Sequence, residues 1–320
     1  MAISFGLCVN RRLQGNQPLN YLPTKIPTYV RFFEMCQQEG WRVYVLSQKT
    51  YQSKNIFKGG WLFKDGRFIL SHELLKLDFV YDRTNNLDFP PKDAGNMLVI
   101  NNRNFKEVCV NKFKTYQEIG KYMPETFWVG EKNHLKSVLP KIKTAWVVLK
   151  PYNGMEGIGI FVGPKHKAMD LQFCEKYPLY IAQEFIDTAG GIPGIVKGKH
   201  DLRVVVVNGE VVWCHFRTPP RNEFTANVAR GGSITEVDYD KQVPKSIKEI
   251  VEQIIPYFYQ KYDNPIYCLD FGMGKDGPKI FEINDNMGFP LWEMKNRDKF
   301  LKALIENFKE KLEKRNVRTN

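Results

Sequence analysis

The chain has 320 residues, 43% of them hydrophobic and 26% charged, the make-up of a globular protein large enough for two or three structural units. An aromatic share of 13% excludes intrinsic disorder, and no apolar run approaches the ~18 residues of a membrane span. The net charge of +12 is spread along the chain, not gathered in one arm, so it speaks against a nucleic-acid-binding role while suiting a protein that handles phosphates and carboxylates.

In chain order, ISFGLCV reads as a strand, and the basic Arg11 and Arg12 follow it. A signal peptide has the reverse order, so the expected location is the cytoplasm. TYVRFFEMCQQEG carries apolar residues at helical spacing and ends at Gly40; WRVYVLS is the next strand. GGWLFKDGRFIL reads as a hairpin turning at Asp65-Gly66. LDFVYDR and NMLVINN are two further buried strands, with DFPPKDAGN as a loop between them. Residues 1–110 therefore form an α/β unit.

The pattern changes at Asn111. NKFKTYQEIGKYM is a helix broken by Pro124. AWVVLK, IGIFVG and LYIAQEFI are strands, the first two joined by the glycine loop PYNGMEG. Beyond a polar stretch from Asp187 to His200 come LRVVVVN, EVVWCHFR and SITEVDY, with an Asn208-Gly209 turn between the first two. VPKSIKEIVEQIIPYFYQKYD is an amphipathic helix, IYCLDFGMG and PKIFEIND a hairpin. The last helix carries Phe300, Leu301, Leu304, Ile305, Phe308 and Leu312 on a core-facing stripe. The six cysteines lie far apart with no CxxC and no Cys/His cluster, which excludes a zinc site and a disulfide framework. They read as buried small hydrophobes, none as a nucleophile.

Three segments carry chemistry. In AWVVLKPYNGMEGIGIFVG, Lys150 ends a strand, and Gly154, Gly157 and Gly159 precede another strand. A dinucleotide fingerprint or a P-loop needs a helix there. The loop is instead a hairpin tip: either a cover over polyphosphate, with Lys150 as a point charge, or a flexible hairpin with a surface lysine. In YCLDFGMGKDGPKIFEINDN, Asp270 lies in one strand while Glu282 and Asn284 share a face of the next, because side chains alternate with period two. Two carboxylates and an amide oxygen make a hard-oxygen site suited to Mg²⁺ shared with phosphates; the alternative is a polar sheet face open to solvent. In FTANVARGGS, preceded by Arg217 and Arg221, the arginine forks suit phosphate or carboxylate, and Asn227 adds an oxygen.

In this order the segments resemble the ATP-grasp superfamily, in the branch of glutathione synthetases and ribosomal-protein glutamate ligases (RimK-like). The resemblance covers roughly residues 111–290 and rests on Asn111-Lys112, LKPYNGMEGIGI, AQEFI, HDLRVVVVNGEVV, ANVARGGS and LDFG…FEINDN. The N-terminal part resembles spore-coat-associated ATP-grasp proteins (YheC/YheD-type). The implied fold is α/β (α+β): an N-terminal pre-ATP-grasp domain (1–110), a central lobe with the glycine loop (111–186) and a C-terminal lobe with the metal site (187–320). By position, the resemblance implies that Lys112 and Lys150 hold ATP phosphates under the loop of Gly154 and Gly157. Gln183, Glu184, Phe185 and Ile186 would read adenine, and Asp201 would contact the nucleotide, with Asn227 beside it. Asp270, Glu282 and Asn284 would hold two Mg²⁺ ions, with Mn²⁺ as a substitute. Arg217 and Arg230 would lie near the transferred phosphate and the acyl group, sharing the catalytic role with Lys150. His200 and His215 are expected to be structural or exposed imidazoles, not proton shuttles.

Two departures stand out. The glutamate ligases carry an arginine where this chain has Thr225, which leaves Arg221 as the substitute, and Asp285-Asn286-Met287-Gly288 replaces the family's small-residue and proline run. The implied activity is an ADP-forming carboxylate–amine ligase working through an acyl phosphate, on small-molecule or peptide substrates, in a family whose members often form homo-oligomers. The alternatives are an ATP-grasp kinase and a non-catalytic nucleotide-binding protein.

Overall fold

The first strand, β1 (Ser4–Val9), is buried along its whole length, as a strand packed on both faces must be. It pairs in parallel with β2 (Arg42–Ser47) on one side and, further along the chain, with β6 (Phe79–Arg83) on the other. In the computed structural model, which describes residues 2–89, 97–155, 157–220, 223–224 and 231–319, helix α1 (Ile26–Gln38) makes the β1–β2 crossover. It buries Tyr29, Phe32, Phe33 and Cys36 and ends before Gly40, whose φ of +78° suits a residue without a Cβ. The short β3 (Tyr51–Ser53) and the hairpin of β4 (Ile56–Lys64) and β5 (Arg67–Lys76) extend the sheet. The Asp65-Gly66 turn has positive φ at both residues, as the sequence predicts. β7 (Leu98–Ile100) closes the order β3-β4-β2-β1-β6-β7. Most of the segment DFPPKDAGN lies outside the described residues.

The chain then forms α2 (Arg103–Val110), which the sequence reading does not anticipate, and α3 (Lys112–Ile119). Asn111 ends the first helix and begins the second, its side chain accepting from the amides of Phe113 and Lys114 at 3.1 Å each. An antiparallel sheet follows, in the order β10-β9-β11-β8. Its strands are β8 (Thr126–Gly130), β9 (Trp146–Pro151), β10 (Phe161–Pro164) and β11 (Tyr180–Glu184), with the single-turn helices α4 (Leu135–Val138) and α5 (Lys165–Ala168) alongside. β10 starts three residues later than IGIFVG suggests. Gly157 and Gly159 sit at φ +74° and +75°, so the chain is still turning there.

The third sheet has the order β14-β13-β12-β15-β16 and is wholly antiparallel. Its strands are β12 (Asp201–Val207), β13 (Glu210–Thr218), β14 (Ser233–Glu236), β15 (Tyr267–Gly274) and β16 (Gly277–Asn284). Between β14 and β15 lie α6 (Tyr239–Gln242) and α7 (Lys245–Lys261). α7 buries Ile247, Val251, Ile254 and Phe258 against the sheet, and Pro256 sits inside it without ending it. Helix α8 (Arg297–Thr319) buries all six residues of its expected stripe. It spans two sheets: Phe308 meets Phe5, Phe79 and Tyr81 of the first, and Phe300 meets Trp213 of the third. That shared core fixes the carboxyl ends of β1 and β6 against the third sheet, with a cleft between them. Among the described residues no helix is long and apolar enough to cross a membrane.

Candidate active site

The cleft has a volume of about 1070 Å³ and is lined from all three sheets. On the glycine-loop side, Lys112 is the first residue of α3 and its amide donates to Tyr152 O at 2.8 Å, which pins the helix start to the loop. Its Nζ donates to Gly154 O at 2.8 Å and meets Glu282 Oε1 at 2.9 Å. One buried lysine thus ties the glycine loop to the metal-type hairpin. Lys150, near the end of β9, donates to Gln183 Oε1 at 2.9 Å and to Phe281 O at 3.2 Å. Burial, opposed by Glu282 and assisted by Lys112, lowers its pKa to about 8.

The Phe281 carbonyl reaches Lys150 because of a β-bulge. Asp270 pairs with Glu282 but Phe271 pairs with Ile280, so Phe281 is the extra residue and the strand is locally re-aimed. Its ring lies over Gly272, where an added Cβ would come within 2.0 Å of Phe281 Cζ.

Strand register places the charges of the third sheet. Arg203 lies opposite Asp270 across β12–β15, and Asp201 lies opposite Arg217 across β12–β13. Both pairs close as bidentate forks: Arg203 to Asp270 at 2.7 Å twice, and Arg217 to Asp201 at 2.6 and 2.9 Å. Arg217 also reaches Asp270 Oδ2 at 2.9 Å, where the Asn284 amide donates at 3.3 Å. Burial alone would raise the Asp270 pKa, but Arg203 and Arg217 overcome it and hold the carboxyl below its usual range. Glu282 behaves likewise, with Lys112 and then Lys150 outweighing burial. Asp201 is pushed up to about 6, chiefly by burial.

Among the described residues no group of three or more His, Cys, Asp or Glu gathers as a metal cage. The donors brought together are Asp270, Glu282 and Asn284, two ionised carboxylates and an amide on one hairpin. Both Asp270 oxygens and one Glu282 oxygen already accept from cations. This set fits a hard divalent cation whose remaining ligands are phosphate oxygens and water.

At the end of β11 the Gln183 side chain turns inward, bridging Lys150 and Thr126 Oγ1. The amides of Glu184 and Phe185 are taken by Glu125 O at 3.0 Å and Thr144 Oγ1 at 3.2 Å. Glu184 Oε1 accepts from the Lys143 amide, and the Phe185 ring packs between Trp146 and Phe224. Glu184 and Ile186 line the cleft. Gly154 and Gly157 line it as well, beneath the loop. His200 and His215 are both buried, with lowered pKa values that burial dominates, as structural imidazoles should be. Five of the six cysteines are buried, and Cys174 is half-buried. Arg221, Thr225, Asn227 and Arg230 lie outside the described residues.

Sequence reasoning passed over Arg203, which sits two residues after Asp201 with the same facing, and the signal was that spacing in HDLR. It also passed over Lys25 and Arg83, which enter the cleft from the first sheet's side. Arg83 follows Asp82 at the carboxyl end of a buried strand, the end at which open parallel sheets bind ligands.

The family model of the RimK-like ATP-grasp domain matches residues 110–307. The chain belongs to the RimK-like ATP-grasp family. A probable alpha-L-glutamate ligase from Psychromonas ingrahamii is 28% identical over 170 residues, 52% of this chain and 51% of that protein. The chain thus spans about half the length of the curated relatives it matches. D-alanyl-alanine synthetase A from Vibrio cholerae shares the fold at a TM-score of 0.66 and 11% identity, over 98% of this chain and 99% of that one. A RimK domain ATP-grasp protein from Sphaerobacter thermophilus does so at a TM-score of 0.58 and 13% identity, over 95% and 98%. The two structural likenesses extend through the N-terminal sheet, which lies outside the family match.

Proposed function

We propose that this RimK-like ATP-grasp protein is an ADP-forming carboxylate–amine ligase that makes an amide bond through an acyl phosphate on an amino acid, a peptide or a protein. The observation that carries the reading is the Lys112 bridge. A single ammonium touches the glycine loop at Gly154 and the metal-type carboxylate at Glu282, so the phosphate side and the metal side form one site. The probable glutamate ligase activity of its relative, about half of whose length is matched, supports the same reading.

In this account the glycine loop covers the triphosphate while Lys112 and Lys150 counter its charge. Glu184 and Ile186, which line the cleft, would face the adenine. Asp270, Glu282 and Asn284 would hold Mg²⁺, two ions or a Mn²⁺ substitute, and the metal supplies neutralisation of phosphate charge. A carboxylate oxygen of the acid attacks the γ-phosphorus, and the bond to the ADP oxygen breaks. The amine nitrogen then attacks the acyl carbon, inorganic phosphate leaves, and the ammonium proton passes to solvent. Arg217, its Nε and Nη2 anchored by Asp201 and Asp270, would bring its remaining charge and Nη1 near the transferred group; positioning and charge stabilisation are the main demands of phosphoryl transfer. The three lobes are taken as 1–110, 111–186 and 187–320. Coupled measurement of ADP across pairs of acids and amines tests the reading. ADP release that requires both reactants supports it; a phosphorylated alcohol as the stable product would replace it with the kinase.

A further inference from the structure

We infer that the N-terminal side of the cleft is a recognition subsite for a spectator carboxylate: a carboxylate that one reactant carries in addition to any that reacts, seated between Lys25 and Arg83. The inference rests on the ligase reading above for the existence of two reactants.

The cleft lining divides sharply by charge. Residues lining it from the first sheet and from the turn after β16 include Arg11, Lys25 and Arg83 and no carboxylate. Among the described residues none of these three cations has a carboxylate within ion-pair distance, whereas Arg203 and Arg217 have theirs. Lys25 Nζ donates to Phe289 O. The Arg83 guanidinium donates to Tyr81 Oη at 3.0 Å and to Met287 O, and lies over the Phe289 ring at 5.4 Å. Neutral partners thus fix both cations in place, and the carboxyls that act on them, Asp285 on Arg83 and Glu293 on Lys25, do so from beyond ion-pair distance. Burial first, then Arg203 and Arg83, draw the Lys25 pKa down to about 8, and Glu293 offsets them only in part. A buried ammonium beside a buried guanidinium is costly until an anion joins them.

A carboxylate fits better than a second phosphate group. Arg83 lines the cleft with its planar guanidinium fixed by Tyr81 and Met287, and the surrounding wall is carbon-rich, with Tyr21, Tyr29 and Phe289 lining it. Lys25 and Arg83 also lie outside residues 110–307. The preference would therefore be set by the part of the chain that the family match does not cover.

The test is equilibrium calorimetry on the full chain saturated with Mg²⁺ and a non-hydrolysable ATP analogue. The probes are succinate, glutarate and L-glutamate, with butyrate and inorganic phosphate as comparisons. At least one dicarboxylate should bind about tenfold or more tighter than butyrate or phosphate. Arg83→Met and, separately, Lys25→Met should remove that preference and leave the affinity for the nucleotide analogue within about twofold. Arg83→Lys should keep part of it. Lys25 is half-buried at the end of the short turn Pro23–Lys25, beside exposed Pro23 and Thr24, so its variant serves if Arg83→Met unfolds. The inference is overturned if no dicarboxylate is preferred, if the preference survives both substitutions, or if phosphate binds as tightly. Hydroxylamine in place of the amine separates the sources. A hydroxamate of the preferred dicarboxylate assigns the spectator carboxylate to the acid; its acting only as an inhibitor assigns it to the amine. Because binding is read without turnover, a preference with no ADP formation keeps the subsite and removes the ligase reading. Ligation of neutral acids that ignores Arg83 does the reverse.

Discussion

Two cationic regions face each other across one cleft, and they are built on opposite rules. On the third sheet each arginine is paired by strand register: Arg203 opposite Asp270, Arg217 opposite Asp201. On the N-terminal side, among the described residues, Lys25 and Arg83 make their hydrogen bonds to carbonyl and hydroxyl oxygens and no ion pair. The paired region is already close to neutral and holds Asp270 and Glu282 ionised, which prepares it for a metal–phosphate unit whose charges nearly cancel. The unpaired region keeps net positive charge for an anion that comes without a cation of its own. Where a fold leaves charge unspent, it marks recognition; where it cancels charge internally, it marks positioning.

The comparison breaks most severely at its hinge. Lys150→Ala should lower ADP formation by about 10²–10³-fold, the usual cost of a charge-stabilising donor, with the thermal midpoint unchanged because the buried ammonium is itself a burden. Turnover assays beside a melting curve check both parts; wild-type turnover would remove Lys150 from the site. Next is Asp270→Asn, which leaves Arg203 and Arg217 sharing Asp201 as their remaining carboxylate nearby. Removing one member of a buried ion network costs about 3 kcal/mol, readable as a lower urea midpoint, and the Mg²⁺ dependence of turnover should vanish with it. A variant of unchanged stability would mean that the pairing is idle.

Gly272→Ala sharpens the comparison with a smaller effect. The new Cβ meets the Phe281 ring, and overpacking of this kind costs about 2 kcal/mol. Displacing Phe281 also loosens the carbonyl that holds Lys150, so the nucleotide KM should rise while the preference among acids stays as it was. A change in acid preference alone would show that the two regions are coupled. The smallest effect is that of pH. Lys150 in the free protein loses its charge as pH rises through about 8, and triphosphate favours the charged form. Nucleotide binding should therefore be flat below pH 7, take up a proton near pH 8.5, and weaken by up to about tenfold toward pH 9. Calorimetry in buffers of different ionisation enthalpy reads the proton directly, and Lys150→Arg, charged throughout, should abolish the uptake.

The metal-type hairpin was legible in the sequence because a two-residue period and a short turn are enough to put Glu282 and Asn284 on one face. The bulge at Phe281 was not, since one extra residue in a strand leaves no pattern and is settled by the ring finding room over Gly272. The glycine loop was read correctly as a hairpin tip, but its length depended on positive φ at Gly157 and Gly159. Helix α2 was missed because Asn111 does two jobs at once and Phe105, Val108 and Cys109 are too few to set a period. Arg203 meets Asp270 only through a strand pairing 67 residues apart, and Lys25 and Arg83 only through packing across the cleft. Local spacing reports what one hairpin does; the charge balance of a cleft is a tertiary property.

The central claim is that the carboxylate is activated as an acyl phosphate, and hydroxylamine tests it most directly. The protein is incubated with Mg·ATP, hydroxylamine and a panel of amino acids, dicarboxylic acids and acidic peptides, and products are identified by mass spectrometry. The account predicts a hydroxamate of at least one acid, formed together with ADP and absent with Lys150→Ala. ADP formed with a phosphorylated hydroxyl and no hydroxamate from any acid would contradict it.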